Sequence, residues 1–148
     1  MGRPTRKPAT VLLVEDDAGD QELTRRALAV GILRTELRIV SDGHTAMEYL
    51  RRTGGYADEE RSPRPDLVLL DLNMPGMDGR DVLSEMRADE ALKEIPVVVL
   101  TTSESPLDIA SVYRLGCNSF ITKPVDMEQF IRVVRELGSY WFELVTLP

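Results

Sequence analysis

Carboxylates, hydroxyls and one amine stand where apolar runs end. Asp71 leaves the run 66-DLVLL-70, and Glu15-Asp16-Asp17 leave 10-TVLLV-14. Thr101-Thr102 close 96-PVVVLTT-102, and Lys123 follows the brief 119-SFIT-122. Unit charges about 4 Å apart at an effective dielectric near ~20 interact by about 4 kcal/mol. Carboxylates gathered at one place must therefore protonate, spread apart or hold a cation. Mg²⁺ suits such a set, with Mn²⁺ an alternative, because it accepts one or two carboxylates and keeps waters that a phosphate can displace. With Lys123 alongside, the set is suited to a phosphoryl group, whose transfer spreads charge over three oxygens. An aspartate oxygen can act as nucleophile and form an acyl phosphate. Thr101 could then donate a hydrogen bond to the product and Lys123 pair with it. Asp17 taken alone reads as a helix N-terminal charge, favoured by the macrodipole.

The elements that must position these residues are legible from patterning. Three of the runs are rich in Val and Leu without alternation, as parallel strands covered on both faces require. The segment 36-ELRIV-40 alternates, with Leu37 and Ile39 on one face and Arg38 on the other, and reads as an edge strand. Helical spacing fills the gaps. Leu23, Ala27, Leu28 and Val30 mark a first helix ending near Gly31; Ala46, Met47, Tyr49 and Leu50 a second, closed by Gly54-Gly55. Val82, Leu83 and Met86 mark a third. Ser105-Pro106-Leu107-Asp108 predicts a fourth helix with a capping box and Pro in the first turn, Ile109 and Val112 facing inward and Gly116 stopping it. Asp126 with Gln129 caps a fifth. Segment 54–65 reads as a polar, mobile loop.

Strand and helix thus alternate five times. That predicts an α/β fold with a doubly wound, five-stranded parallel sheet, flavodoxin-like (βα)5, in the order 2-1-3-4-5. All carboxyl ends then open on one rim, and the first and third strands flank the point where strand order reverses. Ligands bind there.

The chain has 148 residues, enough for one domain with a real core. A net charge of −7 argues against nucleic-acid binding, which needs a basic face. No apolar run approaches membrane-spanning length. The single cysteine, Cys117, excludes an internal disulfide and a Cys-based zinc cage and is expected as a small buried hydrophobe. A cytoplasmic protein is expected. Its one histidine, His44, reads as a solvated helix residue.

The motifs 12-LLVED-16, 68-VLLDLNMPGMDG-79, 97-VVVLT-101 and 120-FITKP-124 together resemble the receiver domain of two-component response regulators, over essentially residues 9–137. The resemblance implies a single-domain response regulator, without a DNA-binding output domain, that takes a phosphoryl group from a sensor histidine kinase. It implies a signalling protein rather than an enzyme, catalysing only its own phosphorylation and dephosphorylation. Asp71 would be the phosphoacceptor. Asp16, Asp71 and the Asn73 carbonyl would ligate Mg²⁺, with Glu15 acting mainly through a metal-bound water. Thr101 and Lys123 would form the switch pair, with Thr102 beside them and Phe120 at the aromatic switch position. Asn73 and Ser103 would tune dephosphorylation, and Lys123-Pro124 would be cis. Two departures stand out: Glu15-Asp16 replaces the frequent Asp-Asp pair, and Phe120 lacks the hydroxyl many relatives carry.

Within that family, 14-VEDDAGDQEL-23, 122-TKPVDMEQF-130 and the tail 140-YWFELVTLP-148 resemble stand-alone receivers that partner phytochrome-type kinases, so a bacteriophytochrome is an expected partner. The expected division is an N-terminal tail at 1–8, a receiver domain at 9–138 and a C-terminal arm at 139–148. Tyr140, Trp141 and Phe142 hold three of eight aromatics and are expected to make a homodimer contact. Two rivals share parts of the pattern. An Mg-dependent aspartate-nucleophile phosphatase wants a second acid two residues after its nucleophile, where Asn73 stands. An FMN-binding flavodoxin-like carrier wants a neutral phosphate loop where Glu15-Asp16-Asp17 stand.

Overall fold

Along the first strand, β1 (Ala9–Val14), neighbouring side chains enter opposite cores. Val11 and Leu13 join one buried cluster, Leu12 and Val14 the other. The computed structural model describes residues 8–29, 34–103 and 105–138. After β1 come α1 (Ala18–Ala29), β2 (Thr35–Val40), α2 (Gly43–Arg51), a 3₁₀ turn at Gly54–Tyr56, β3 (Leu67–Asp71), α3 (Gly79–Ala88), β4 (Val97–Thr101), α4 (Pro106–Leu115), β5 (Ser119–Thr122) and α5 (Met127–Leu137). The strands form one parallel sheet in the order β2-β1-β3-β4-β5, as the patterning predicts.

The two-sided strands explain the layers. Leu28 of α1 and Phe130, Val133 and Val134 of α5 cover one face, packing on Leu69, Leu100 and Ile121. Ala46 and Leu50 of α2, Val82 and Met86 of α3 and Val112 of α4 cover the other, on Val68, Leu70 and Val99. Cys117 is buried there, as expected. Burying each of the Leu, Ile, Val, Met and Phe side chains contributes roughly 1.5–3 kcal/mol.

Several helix ends differ from their sequence signals. Leu23 is 47% exposed, and the buried stripe of α1 is carried by Thr24 and Leu28 instead; Val30 and Gly31 lie outside the described residues. The left-handed residue ending α2 is Arg52 (φ 54), two positions before Gly54, and the glycines open the 3₁₀ turn. Ser105 stands at the N-cap of α4 with Pro106 after it, yet its side chain makes no cap bond. The hydroxyl of Ser103 has taken Asp108 instead, at 2.8 Å, so the capping box does not form. Gly116 (φ 105) ends α4 as expected. Helix α3 carries a reciprocal capping box between Asp78 and Asp81.

The 54–65 loop is tied down rather than open. The hydroxyl of buried Ser62 donates to the carbonyls of Tyr56 and Asp58, and Arg52 Nε donates to the carbonyl of Ser62. Among the described residues no helix is long and apolar enough to cross a membrane.

Candidate functional site

β1 and β3 are hydrogen-bonded neighbours, with Val14 level with Leu70, so the residues after Val14 and Asp71 at the end of β3 meet at the same rim. The carboxylates of Glu15, Asp16 and Asp71 come together there, each offering an oxygen within 4.8 Å of the others. Glu15 and Asp71 are buried and Asp16 is exposed, so the cluster opens outward through Asp16. Asp17 caps α1 through a 2.8 Å bond from the Asp20 N–H and points its role at the helix, not the cluster.

Lys123 is delivered by β5 and held by α5. Gln129 accepts from the Thr122 N–H at 3.1 Å and donates to the carbonyls of Thr122 and Pro124, gripping the chain on both sides of Lys123. Asp126 caps α5 by accepting from the Gln129 N–H at 2.8 Å. The Lys123-Pro124 peptide is cis. The ammonium then lies 2.6 Å from Glu15 Oε1, 3.1 Å from Asp71 Oδ1 and 3.2 Å from Asp20 Oδ2.

The electrostatics follow from burial. Loss of solvent pushes Glu15 up to about 7 despite the adjacent ammonium, and the neighbouring Asp71 adds to the rise. Burial likewise raises Asp71, against the opposing pull of its contacts with Glu15 and Lys123. Burial alone would lower Lys123, but Glu15 and Asp71 outweigh it and hold the ammonium above its usual range. The site thus keeps more negative groups than it can ionise comfortably. Glu15 Oε1 is buried and, although Lys123 is close, has no aligned hydrogen-bond donor. An oxygen-only donor set with such an oxygen fits a hard divalent cation.

The other residues singled out in the sequence divide into near and far. The Asn73 N–H reaches Asp71 Oδ1 at 3.4 Å, while its side chain is exposed. Thr101 is buried; its hydroxyl accepts from the Ser103 N–H at 3.0 Å, and its carbonyl accepts from the Lys123 N–H at 2.8 Å. Thr102 is exposed. Phe120 is half-buried with its ring edge-on to Tyr113 of α4, 6.3 Å between centroids. Tyr140, Trp141 and Phe142 lie outside the described residues. His44 is exposed on α2.

Sequence reasoning missed Asp20, Tyr113 and the grip of Gln129. It also passed over Gly79, which opens α3 against the end of β3. A Cβ there would collide with the carbonyl oxygen of Asp71 and sit 2.9 Å from Leu72 Cα. Only glycine lets the helix start that close to the backbone at the end of β3.

An acidic pair after β1, an aspartate ending β3, a threonine ending β4 and a Lys-cis-Pro step after β5 define a class. The chain belongs to the response regulator receiver domain family, which matches residues 11–135. It is 43% identical over 148 residues to Response regulator Rcp1 of Synechocystis sp., covering 100% of this chain and 99% of that protein. Among solved structures it is similar to the bacteriophytochrome response regulator AtBRR (TM-score 0.81, 40% identity, covering 91% of this chain and 96% of that one). It is also similar to the Mn(2+)-bound form of Rcp1 (TM-score 0.73, 44% identity, covering 95% and 99%). The protein is accordingly a signalling protein of the response regulator type.

Proposed function

We propose that this protein accepts a phosphoryl group on Asp71 from the phosphohistidine of a sensor kinase and signals through the resulting change of shape. The observation that carries the reading is the buried Asp71 carboxylate, beside two further carboxylates and 3.1 Å from Lys123. In the reaction an Asp71 oxygen attacks phosphorus, the bond from phosphorus to the imidazole nitrogen breaks, and the imidazole leaves with that electron pair and takes up a proton. Mg²⁺, or Mn²⁺ in its place, would be held by Asp16, Asp71 and the Asn73 carbonyl, with Glu15 behind it, and would supply positive charge to the transferring oxygens. Lys123 pairs with the new phosphoryl oxygens, and Thr101 donates its hydroxyl to them, with Thr102 alongside. The movement of Thr101 leaves room for Phe120, and the α4–β5–α5 face follows. Asn73 and Ser103 border the approach of the hydrolytic water that resets the site.

The likeness to bacteriophytochrome response regulators supports a bacteriophytochrome kinase as donor, and a cytoplasmic place for the exchange. The protein turns over nothing but its own acyl phosphate; sustained multiple turnover of p-nitrophenyl phosphate would refute that. The aromatic sequence 140-YWF-142 and the α5 region are proposed as the homodimer contact. Deleting 139–148 should convert a dimer to a monomer by light scattering, and an unchanged monomer or an unchanged dimer would count against the arm.

The central test is incubation with acetyl phosphate and Mg²⁺ followed by intact mass. The parent should gain one phosphate, and Asp71→Asn should gain none. Equal gain in both would move the acceptor elsewhere.

A further inference from the structure

Lys123 has three N–H donors and three carboxylate neighbours, Glu15, Asp71 and Asp20. The first two belong to the acidic cluster that the proposed reaction uses, and both are nearly sealed from solvent, at 0% and 4% side-chain exposure. Asp20 is different. It sits on the first turn of α1, its side chain is 35% exposed, and it accepts an aligned 3.2 Å hydrogen bond from the ammonium. Its own N–H is bonded to Asp17 Oδ2 at 2.8 Å, so the cap of α1 fixes the backbone from which it reaches the lysine. A phosphoryl group on Asp71 brings new anionic oxygens that compete with these carboxylates for the ammonium. Of its three partners Asp20 is the longest contact and the most solvated, hence the one most easily exchanged.

We infer that Asp20 is a positioning residue acting through Lys123. It is a placeholder anion that holds the ammonium in the unmodified protein and yields it to the phosphoryl group, so that its charge opposes phosphorylation. This rests on the reading of Asp71 as acceptor.

The test is the rate at which Asp20→Asn gains phosphate from acetyl phosphate with Mg²⁺. In that step the bond from phosphorus to acetate breaks, acetate leaves, and the bond to an Asp71 oxygen forms. Asparagine keeps the shape and a hydrogen-bond acceptor but removes the charge. A gain of about three- to tenfold over the parent is expected at low ionic strength, falling below about twofold at high salt, because a partly exposed charge is screened. A purely structural role for Asp20 would not give a salt-dependent gain. Glu22→Gln makes the same charge change on the same helix, where Glu22 pairs with Arg25 and Arg26; it should leave the rate unchanged. An Asp20→Asn rate equal to or below the parent would overturn the inference, as would a gain insensitive to salt or one reproduced by Glu22→Gln. A parent that takes up no phosphate would instead bring down the acceptor reading, and the placeholder with it.

Discussion

Lys123 Nζ stands 2.6 Å from Glu15 Oε1, joining the end of β5 to the end of β1 across the full width of the site. Glu15 is fully buried and Lys123 is only 11% exposed, so neither charge has water to fall back on. Removing one partner of such a pair leaves the other uncompensated, at a cost of about 3–5 kcal/mol when burial is complete. Lys123→Met should therefore lower stability by roughly 2–4 kcal/mol at neutral pH in metal-free buffer. Protonating Glu15 should recover part of the loss under acid. Urea unfolding at two pH values measures both; an equal midpoint for parent and variant would mean that the pair contributes nothing.

The same cluster predicts how pH and a divalent ion interact. Glu15 is pushed from its ordinary 4.5 up to about 7, chiefly by burial. A carboxyl raised by folding holds its proton more tightly folded than unfolded, so its contribution to stability is present below 4.5 and is lost as pH rises through about 7. Asp71 is raised in the same sense. A cation competes with those protons and replaces the missing positive charge. The rise in melting temperature on adding Mg²⁺ should thus be small near pH ~5 and grow towards pH ~8. Thermal melts across that range check it, and a shift independent of pH would show that the carboxylates are ionised throughout.

Most of this site is legible in the order of residues alone because of one physical fact. Strands such as 96-PVVVL-100 are apolar on both faces, so the first polar residue after each must emerge at the rim, and parallel order puts those rims together. What stays hidden is competition between equivalent local partners. Ser105 and Asp108 have the spacing of a capping box, yet Ser103 bonds Asp108, while the Ser105 N–H is bonded to Ser103 Oγ. A sequence pattern cannot rank acceptors that lie within the same reach. The Asp20–Lys123 contact joins residues 103 positions apart with no periodicity to announce it. Leu23 misleads for a related reason: the stripe that α1 buries includes the polar Thr24, so an apolar-only reading rotates the helix.

Glycine positions give a sharp contrast. Gly79→Ala would drive a methyl into the Asp71 carbonyl and against Leu72, both backbone and unable to yield. Shifting α3 to make room should cost about 1–3 kcal/mol and should slow phosphorylation of the displaced aspartate. Gly55→Ala has nothing within 4 Å of the added carbon and should be neutral or slightly stabilising. Paired unfolding and acetyl phosphate measurements distinguish the sites. Equal behaviour of the two variants would remove the case for a close helix–strand approach behind Asp71.

Arg87 of α3 ties that helix to the far ends of β4 and β5. Its guanidinium donates to the carbonyls of Gly116 (2.8 Å), Ile95 (2.9 Å) and Lys93 (3.1 Å), and to Asn118 Oδ1 (3.0 Å), which itself accepts from the Val97 N–H. Leaving such acceptors without donors costs about 1–3 kcal/mol each where water cannot enter, and here several are partly open. Arg87→Met should therefore destabilise by roughly 2–3 kcal/mol in total. Arg87→Lys should rescue little, because one ammonium cannot span a fork of donors fixed in a plane. The clasp lies on the sheet edge opposite the carboxylates, so the folded fraction of either variant should still take up phosphate. Unfolding midpoints read the first effect and intact mass the second. A lysine variant as stable as the parent would show that charge alone, and not the planar fork, holds these loops.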